Sequence, residues 1–432
     1  MPEREDIFGD GRCILYCGDC LAVLPTLEAG SVDAIVTDPP YGLSFMGKDW
    51  DHGVPGEHFW REALRVAKPG AHLLAFGGTR TFHRLAVAIE DAGWEIRDTV
   101  MWVYGSGFPK SLDVSKAIDK AAGKKREVVG RKWESRGGGG LQRSMVNDDN
   151  WQSPEITDAI TAPATAAAAL WDGWGTALKP AWEPIIVARK PLDGTVAANV
   201  LTHGTGGINI DGCRVGAESV VTTKGQGFRG SFGGGRNNNG GAIHVGRWPA
   251  NLIHDGSEEV VGLFPHVSSG QPMGVKAGGR LNCYGSFAGG IPVTGYGDSG
   301  SAARFFYCAK ASRSEREAGC EGLGEARGGA EQFDSRWKEG TGDMRCPRVR
   351  NPHPTVKPTA LMQYLCRLVT PPGGIVVDPF AGSGSTGKAA LLEGFRFVGI
   401  ELDADYCRVA KARLRHAAGD APLFAGQEEE GE

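Results

Sequence analysis

The stretch Val376-Val377-Asp378-Pro379-Phe380-Ala381-Gly382-Ser383-Gly384-Ser385-Thr386-Gly387 gives the strongest indication of the fold. An apolar run passes into a glycine-rich segment, a pattern that predicts a strand, a tight loop and then a helix. Glycines let the backbone turn tightly and let a ligand lie against it, while the amides at a helix N-terminus attract an anionic group. The stretch therefore predicts a site for a nucleotide-type ligand.

The chemical class of that ligand stays open from this loop alone. Gly382, Gly384 and Gly387 have the dinucleotide-binding spacing, and Glu401 follows the next predicted strand, nineteen positions after Gly382, where a carboxylate can hold ribose hydroxyls. A phosphate-binding P-loop is excluded, because Ala389 stands where Ser or Thr must hold magnesium. A nicotinamide dinucleotide remains an alternative at this point.

Apolar strands and amphipathic helices alternate on both flanks of the chain, which is the rhythm of a parallel sheet covered by helices. On the N-terminal flank we predict strands at Ile14–Cys17, Val32–Thr37, His72–Phe76 and Ile96–Tyr104, and helices at Glu57–Val66 and Thr81–Ala92. On the C-terminal flank we predict helices at Thr359–Leu368, Lys388–Glu393 and Ala404–Ala417, and strands at Gly374–Val377 and Phe397–Ile400.

The middle of the chain breaks this rhythm with glycine-rich segments. Only Pro184–Ala188 looks like a strand there, and it could pair with Ile96–Tyr104 as a hairpin at the sheet edge. The simplest account is one α/β domain with a large irregular insert. Its parts would be an N-terminal part at 13–104, an insert at 105–350 with a strand near 184–188, a C-terminal part at 351–417 and an acidic tail at 418–432.

A second motif, Asp38-Pro39-Pro40-Tyr41, directly follows the predicted strand Val32–Thr37. Two consecutive prolines prevent both a helix and a continued strand ladder, so the chain must leave the sheet as a stiff extended loop. In an open α/β sheet, ligands bind at this carboxyl edge of the strands. We therefore expect Asp38 and Tyr41 to face the ligand of the glycine loop.

The two motifs together resemble the amino-group DNA methyltransferases, in the class whose catalytic motif precedes the cofactor motif. The catalytic tetrapeptide stands at Asp38–Tyr41 and the cofactor loop at Asp378–Gly384. Weaker matches are Gly18–Cys20, His353–Pro358 and Gly399–Glu401. The resemblance implies a Rossmann-like S-adenosylmethionine-dependent methyltransferase sheet, circularly permuted, with target recognition in the inserted region.

The resemblance also assigns the site residues. The implied catalytic residues are Asp38, Pro39, Pro40 and Tyr41. The implied cofactor-binding residues are Asp19, Lys357, Asp378, Phe380, Ala381, Gly382, Ser383, Gly384, Ser385 and Glu401. Among these, Asp19 is expected near the cofactor's adenine, Glu401 at its ribose, and Lys357 near its methionine part. Asp378 is expected either to bind the cofactor's amino group or to fix the loop, and no metal is implied.

The chemistry that follows is methyl transfer to an exocyclic amino group of a base. Asp38 and the Pro39 carbonyl can each accept one N–H hydrogen, which localises the nitrogen lone pair and aims it at the sulfonium methyl. The base must be flipped out of the duplex, with Tyr41 as its stacking partner. In the family that the sequence resembles, an initial Asp in the motif favours adenine, although the amino groups of adenine and cytosine present the same two hydrogens. Cytosine N4, an RNA or protein amide, and a nicotinamide-dependent oxidoreductase remain alternatives.

Charge and composition constrain the partners. A formal net charge of −4 excludes a globally basic nucleic-acid coat, but a basic run between Lys120 and Arg143 could contact DNA phosphates or form a solvated face. We expect double-stranded DNA as the partner, and the resemblance admits a homodimer and a cognate restriction endonuclease. Met1–Arg12 has no apolar signal segment and no apolar run is long enough for a membrane span, so we expect a cytoplasmic protein with reduced cysteines.

Overall fold

The structure is a computed structural model that describes residues 2–43, 53–105, 107, 111–131, 159–222, 242–268, 299–301, 303, 305–327 and 348–420. The chain forms two compact units. The larger unit comprises residues 1–105 and 182–432, and the smaller unit comprises residues 106–181. The motifs identified in the sequence all belong to the larger unit.

The strands of both units are numbered in chain order. They are β1 (Glu3–Asp6), β2 (Cys13–Cys17), β3 (Val32–Thr37), β4 (Ala67–Phe76), β5 (Glu95–Val103), β6 (Glu127–Arg131), β7 (Ala159–Ala162), β8 (Trp182–Arg189), β9 (Val215–Thr222), β10 (Ala242–Arg247), β11 (Leu252–His254), β12 (His266–Ser268), β13 (Ser299–Ser301), β14 (Phe306–Tyr307), β15 (Ala326–Arg327), β16 (Arg348–Val349), β17 (Ile375–Asp378) and β18 (Arg396–Glu401).

The helices are numbered in the same way. They are α1 (Cys20–Val23), α2 (Glu57–Val66), α3 (Phe82–Asp91), α4 (Val114–Ala121), α5 (Ala166–Leu170), α6 (Val196–His203), α7 (Glu258–Val261), α8 (Arg313–Glu317), α9 (Thr359–Val369), α10 (Ser385–Leu392) and α11 (Ala404–Asp420).

Ten strands form the main sheet of the larger unit in the order β1-β2-β18-β17-β3-β4-β8-β5-β11-β14. The run from β2 to β4 is parallel, whereas β1 pairs antiparallel with β2 and β8 pairs antiparallel with both β4 and β5. The carboxyl ends of β3, β17 and β18 therefore meet at one edge of the sheet, and β8 begins at that same edge.

The central strands are apolar on both faces because helices cover both sides of the sheet. On one side Ala34, Val36 and Phe76 pack with residues of α9, α10 and α11. On the other side Ile35 and Leu73 pack with residues of α2 and α3. The predicted α/β sheet with an inserted region is thereby confirmed, while circular permutation stays a prediction.

Strand β8 was correctly predicted to pair with β5 but wrongly placed at the sheet edge. It lies between β4 and β5, and β11 and β14 continue the sheet beyond β5. Those two strands have three and two residues, too few to show a periodic pattern in the sequence. Residues of the predicted insert therefore complete the main sheet, and the predicted recognition role of 105–350 stays a prediction.

The smaller unit is built around the buried carboxylate of Asp119 on α4. This carboxylate accepts hydrogen bonds from Arg126 Nη1 at 3.0 Å and from Thr165 Oγ1 at 2.8 Å. Arg126 also donates to the Ser115 hydroxyl at 2.8 Å and to the Thr161 carbonyl at 3.1 Å. A buried charge that is paired and hydrogen-bonded in this way ties α4 to the β6–β7 hairpin and α5.

Cys17 at the end of β2 and Cys407 in α11 form a disulfide. The expectation that the cysteines are all reduced is therefore wrong for this pair. Six other cysteines among the described residues are free and buried. In the part of the chain that the structure describes, no helix is long and apolar enough to span a membrane.

Candidate active site

Four acidic residues follow parallel strands at the carboxyl edge of the main sheet. Asp38 follows β3, Asp378 ends β17, Glu401 ends β18 and Asp19 lies just beyond β2. Because β2, β18, β17 and β3 are neighbours, the sequence motifs that were far apart in the chain lie along one line. The carboxyl edge is the position predicted for the site, and the structure brings both motifs to it.

The Asp38 carboxylate is held by two side chains. Its Oδ2 lies 2.9 Å from Lys357 Nζ, and its Oδ1 accepts a hydrogen bond of 2.8 Å from the Tyr41 hydroxyl. Lys357 Nζ also donates to the Tyr41 oxygen at 3.1 Å. Pro39 is buried beside them, so the stiff tetrapeptide presents its two polar side chains to a fixed cation.

Lys357 thus contacts the carboxylate of Asp38, the residue for which the sequence resemblance implied a catalytic role. The sequence resemblance implied a place near the methionine part of a cofactor, and that contact stays a prediction. The ammonium of Lys357 also lies 4.7 Å from the centre of the Phe76 ring. A buried ammonium next to a carboxylate favours the ionised form of that carboxylate.

Glu183, at the start of β8, is a residue of this cluster that the sequence reasoning missed. Its carboxylate lies 3.0 Å from Lys357 Nζ and 3.2 Å from the Tyr41 hydroxyl, and it accepts a hydrogen bond of 3.3 Å from the Tyr104 hydroxyl. The signal available in the sequence was an acidic residue directly before the apolar run Pro184–Ala188. That position becomes meaningful only when β8 is known to run antiparallel.

Burial and charge act against each other in this cluster. Burial raises the pKa of Asp38, and the nearby Lys357 only partly offsets this effect. Burial also acts to raise the pKa of Glu183, but Lys357, the Tyr41 hydroxyl and Lys310 together outweigh it and leave that pKa below its ordinary value. Burial acts to lower the pKa of Lys357, yet the two carboxylates raise it, so the ammonium stays charged. The pKa of Asp38 is therefore shifted upward and that of Glu183 downward, although both carboxylates contact the same ammonium.

The glycine loop has the backbone conformations that its glycines permit. Gly382 has φ +54° and Gly384 has φ +75°, values that L side chains rarely adopt. A Cβ at Gly382 would lie 2.7 Å from Nε2 of His353, whose ring packs edge-on against Tyr406. His353 is therefore a packing residue against the loop, and burial lowers its pKa to about 3, so the ring is neutral.

Arg413 of α11 supports the same loop from inside the protein. Its Nη1 donates to the Ser383 carbonyl at 2.6 Å, to the Ser383 hydroxyl at 2.9 Å and to the Ser385 hydroxyl at 3.2 Å. The predicted loop residues Ala381, Ser383, Gly384 and Ser385 are buried. The two serine hydroxyls are thus bonded inside the protein, so the backbone amides are the groups of the loop that suit an anionic ligand.

Asp378 fixes the loop through internal hydrogen bonds. Its carboxylate accepts from the Thr37 and Thr386 hydroxyls at 2.6 Å each and from the Phe380 amide at 3.1 Å. Burial raises the pKa of Asp378 to about 6, despite these three donors. Of the two roles expected for this residue, the geometry favours fixing the loop.

Glu401 is held by the backbone next to the loop. One carboxylate oxygen accepts from the Gly382 amide at 2.7 Å and the other from the Asp403 amide at 2.8 Å. Burial raises the pKa of Glu401 to about 7, against the lowering effect of both amides. A carboxylate fixed in this way has lone pairs left for ligand hydroxyls.

Asp19 and Phe380 are the two remaining predicted cofactor residues at this edge of the sheet. Asp19 is exposed and caps α1 by accepting from the Leu21 amide at 2.9 Å. Phe380 lines a small cavity together with Cys20, Leu24, Phe59, Trp60 and Pro379.

One edge of the α/β sheet thus carries both the glycine loop and the largely buried Asp-Pro-Pro-Tyr cluster. A family model described as DNA methylase (N6_N4_Mtase) matches residues 32–196 and 296–412, more than half of the chain. The protein therefore belongs to the N6/N4 DNA methylase family.

Individual relatives match over short segments. The chain is 43% identical over 74 residues to DNA adenine methyltransferase YhdJ of Escherichia coli K12, covering 16% of this chain and 25% of that protein. It is 53% identical over 62 residues to the putative methylase YubD of the same organism, covering 14% of this chain and 27% of that protein. The chain thus spans about a quarter of the length of these curated relatives.

A solved structure of PvuII DNA methyltransferase (cytosine-N4-specific) covers 93% of this chain and 86% of its own, at 13% identity and a TM-score of 0.40. A TM-score this low supports no conclusion about base choice.

Proposed function

We propose that this protein transfers a methyl group from S-adenosylmethionine to the exocyclic N6 amino group of adenine in double-stranded DNA. The observation that carries the proposal is the largely buried Asp38 carboxylate, held by Lys357 and Tyr41 on the sheet edge that also carries the glycine loop. Membership of the N6/N4 DNA methylase family supports the same reaction.

Asp38 and the Pro39 carbonyl act by accepting the two hydrogens of the base amino group. That amino group is a poor nucleophile because its lone pair is delocalised into the ring, and two acceptors localise the pair on nitrogen. A new N–C bond forms as the S–C bond breaks, the sulfur keeps the bonding electrons, and the nitrogen loses one proton to solvent. No covalent link between the protein and the base is needed.

The described residues fit S-adenosylmethionine at both ends of the cofactor. Glu401 offers carboxylate oxygens next to Gly382 for ribose hydroxyls, and the N-terminus of α10 follows the loop, where its amides attract a carboxylate. The exposed Asp19 directly precedes Cys20, which packs with Phe380 at this edge of the sheet, and its carboxylate is proposed to meet the adenine part. When bound, this cofactor supplies an electrophilic methyl group on a sulfonium sulfur.

Tyr41 is the proposed stacking partner of the flipped base. Its hydroxyl donates to Asp38 at 2.8 Å, so the ring stands beside the carboxylate that must meet the amino group. A base inside a duplex cannot reach a buried carboxylate, so extrusion of the base has to precede transfer.

Adenine is proposed as the base on two grounds. The motif begins with Asp, and the 43% identical relative is named a DNA adenine methyltransferase. Cytosine N4 is the second candidate, because its amino group presents the same two hydrogens and the family covers both bases. The family match favours neither an RNA or protein amide nor the nicotinamide-dependent oxidoreductase.

The smaller unit and the rest of the insert are proposed to read the DNA, although one residue of the basic run does not fit that role. The Arg126 guanidinium is only 10% exposed and is bonded to Asp119, so it is not free to neutralise a phosphate. Lys120, Lys124 and Lys125 are exposed and stay candidates for that role. The basic residues after Arg131 lie outside the described residues.

Filter binding at several salt concentrations tests this role of the lysines. Changing Lys120, Lys124 and Lys125 together to Gln should weaken DNA binding and reduce the salt slope by about one unit for each phosphate that is no longer neutralised. Changing Lys411, which pairs with Glu5 in the larger unit at 2.5 Å, to Gln is the matched control. An unchanged slope in the triple variant would place the phosphate contacts elsewhere.

The first test of the function is incubation with unmethylated duplex DNA and labelled S-adenosylmethionine, followed by digestion and identification of the modified nucleoside. N6-methyladenine is the expected product. N4-methylcytosine would change the assigned base to cytosine and leave the proposed reaction unchanged. No transfer to DNA under conditions where the protein binds the cofactor would contradict the proposal. A cytoplasmic location, a homodimer and a cognate restriction endonuclease stay predictions.

A further inference from the structure

Glu183 reaches the catalytic edge from a strand that runs against its neighbours. It is the second residue of β8 and lies opposite Trp102 of β5. Because β8 is antiparallel to β4 and β5, its first residues lie where those strands end. The family resemblance assigned no role to this residue, and none of the motifs in the sequence includes it.

Because of the position of Glu183, Lys357 pairs with two carboxylates. The three hydrogens of the ammonium have three acceptors, at 2.9 Å on Asp38, 3.0 Å on Glu183 and 3.1 Å on Tyr41. Two carboxylates around one cation leave a surplus of negative charge. Asp38 therefore keeps more of its acceptor strength than it would in a one-to-one pair with Lys357.

The Tyr41 hydroxyl has one hydrogen and two carboxylates within reach. It lies 2.8 Å from Asp38 Oδ1 and 3.2 Å from Glu183 Oε2. When the hydrogen points to Asp38, it occupies lone-pair capacity that the base amino group needs. When it points to Glu183, Asp38 Oδ1 is released for the substrate.

We propose that Glu183 is a positioning residue for methyl transfer. It accepts the hydrogen bond of the Tyr41 hydroxyl and pairs with the Lys357 ammonium. Asp38 Oδ1 is then free to accept a hydrogen bond from the base amino group. The inference rests on the proposed function and deepens it. Glu183 itself touches Lys357, Tyr41 and Tyr104 and has no direct contact with the base in this scheme.

A pH profile distinguishes this role from a structural one. The titratable and charged groups that face the two carboxylates are Tyr41, Tyr104, Lys310, Lys357 and Asp378. The charge of Glu183 raises the pKa of Asp38. Removing that charge should therefore move the acid limb of the kcat profile to lower pH, because Asp38 must be ionised to accept the amino hydrogens.

The experiment is single-turnover methyl transfer to duplex DNA by full-length wild type and Glu183→Gln, from pH 5 to pH 9. We expect the variant to react about 10- to 100-fold more slowly, with its acid limb at lower pH and with the KM values for DNA and cofactor unchanged within about twofold. Glu183→Asp, which keeps the charge, should retain the wild-type acid limb and lose less of the rate.

Glu95→Gln is the matched control. Glu95 on β5 is ion-paired with Arg189 at the far end of β8 and lies outside the site, so this variant should react like wild type. The inference is overturned if Glu183→Gln matches wild type, or if the Gln and Asp variants fall equally with an unmoved acid limb. A wild type that transfers no methyl to DNA would instead remove the proposed function.

A second measurement needs no variant and so does not depend on the folding of Glu183→Gln. A carbon-13 NMR titration of the side-chain carboxylates in the wild-type chain should show Asp38 taking a proton before Glu183 as the pH falls. A Glu183 signal that is protonated first would overturn the inference, because a neutral carboxyl could no longer share the ammonium.

Discussion

Two Asp-Pro dipeptides end neighbouring strands of the same sheet, and their aspartates behave differently. Asp378 is surrounded by two threonine hydroxyls and a backbone amide, and no cation lies among these donors. Asp38 is held by Lys357 and the Tyr41 hydroxyl, with Glu183 on the other side of the ammonium. The difference lies in side chains that other segments supply.

The comparison shows how one local sequence yields two roles. Neutral donors that are all internal make Asp378 part of the loop's framework, and its pKa of about 6 reflects burial. The pKa of Asp38 depends instead on a cation that it shares with Glu183, so a change of either side chain can shift that pKa without changing the backbone. The two aspartates thus differ because Lys357 and Glu183 contact the Asp-Pro turn at Asp38, whereas only uncharged donors contact Asp378.

The largest expected effect is on activity. Asp38→Ala should lower the rate of methyl transfer by at least about 10³-fold, because it removes the acceptor that activates the amino group. Cofactor affinity should change little, and the fold should persist because Glu183 still pairs with Lys357. Transfer of labelled methyl measures the rate, and substantial residual activity would end the distinction drawn between the two aspartates.

The second effect is on stability and uses the same substitution at the other aspartate. Asp378→Ala leaves two buried hydroxyls and an amide without their acceptor, so the free energy of unfolding should fall by about 3 kcal/mol. Urea denaturation of both alanine variants checks this. If Asp38→Ala proves the more destabilised of the two, the assignment of roles is reversed.

The third effect concerns the loop that Asp378 holds. Gly382→Ala should weaken cofactor binding about tenfold or more, because its φ of +54° is strained for alanine and its Cβ would meet His353 at 2.7 Å. Gly11→Ala is the control, since that glycine has φ +75° with nothing within 4 Å of its Cβ position. Calorimetric titration with the cofactor measures the affinity of both variants. Equal affinities of the Gly382→Ala and Gly11→Ala variants would contradict the expected clash with His353.

The smallest effect is a pH dependence on the cofactor side of the site. Glu401 must be ionised to accept ribose hydrogens, and its pKa of about 7 lies above the ordinary value for Glu. Affinity should therefore be full above pH 8 and fall by up to about tenfold by pH 6 as the carboxyl takes a proton. Glu401→Gln should bind weakly at both pH values, and a pH-dependent Gln variant would assign the titration to another group.

The core of the sheet and the two motifs could be predicted from sequence because their signals are local. Val32–Thr37 and Glu57–Val66 were predicted to the residue, the first from a continuous apolar run and the second from helical periodicity before a Pro-Gly break. Asp38 and the glycine loop were placed correctly because parallel strands bring their carboxyl ends to one edge.

The other features of the fold and the site depend on tertiary contacts, which a local sequence pattern does not reveal. Glu183 joined the site only because β8 runs antiparallel into the middle of the sheet. Arg126 looked like part of a basic surface, yet Asp119 draws it inside the smaller unit. Short strands such as β11 exist because their neighbours pair with them, and their own sequence carries too few residues to predict them.

The register of β5 with β8 has a consequence for the segment that connects the two strands. Val103 lies opposite Trp182, so the chain leaves the sheet and returns to it at residues whose Cα atoms are only about 5 Å apart. Residues 106–181 are thus connected to the main sheet through the ends of two paired neighbouring strands. A change in the length of that unit therefore requires no change in the pairing of β5 with β8, on which the position of Glu183 depends.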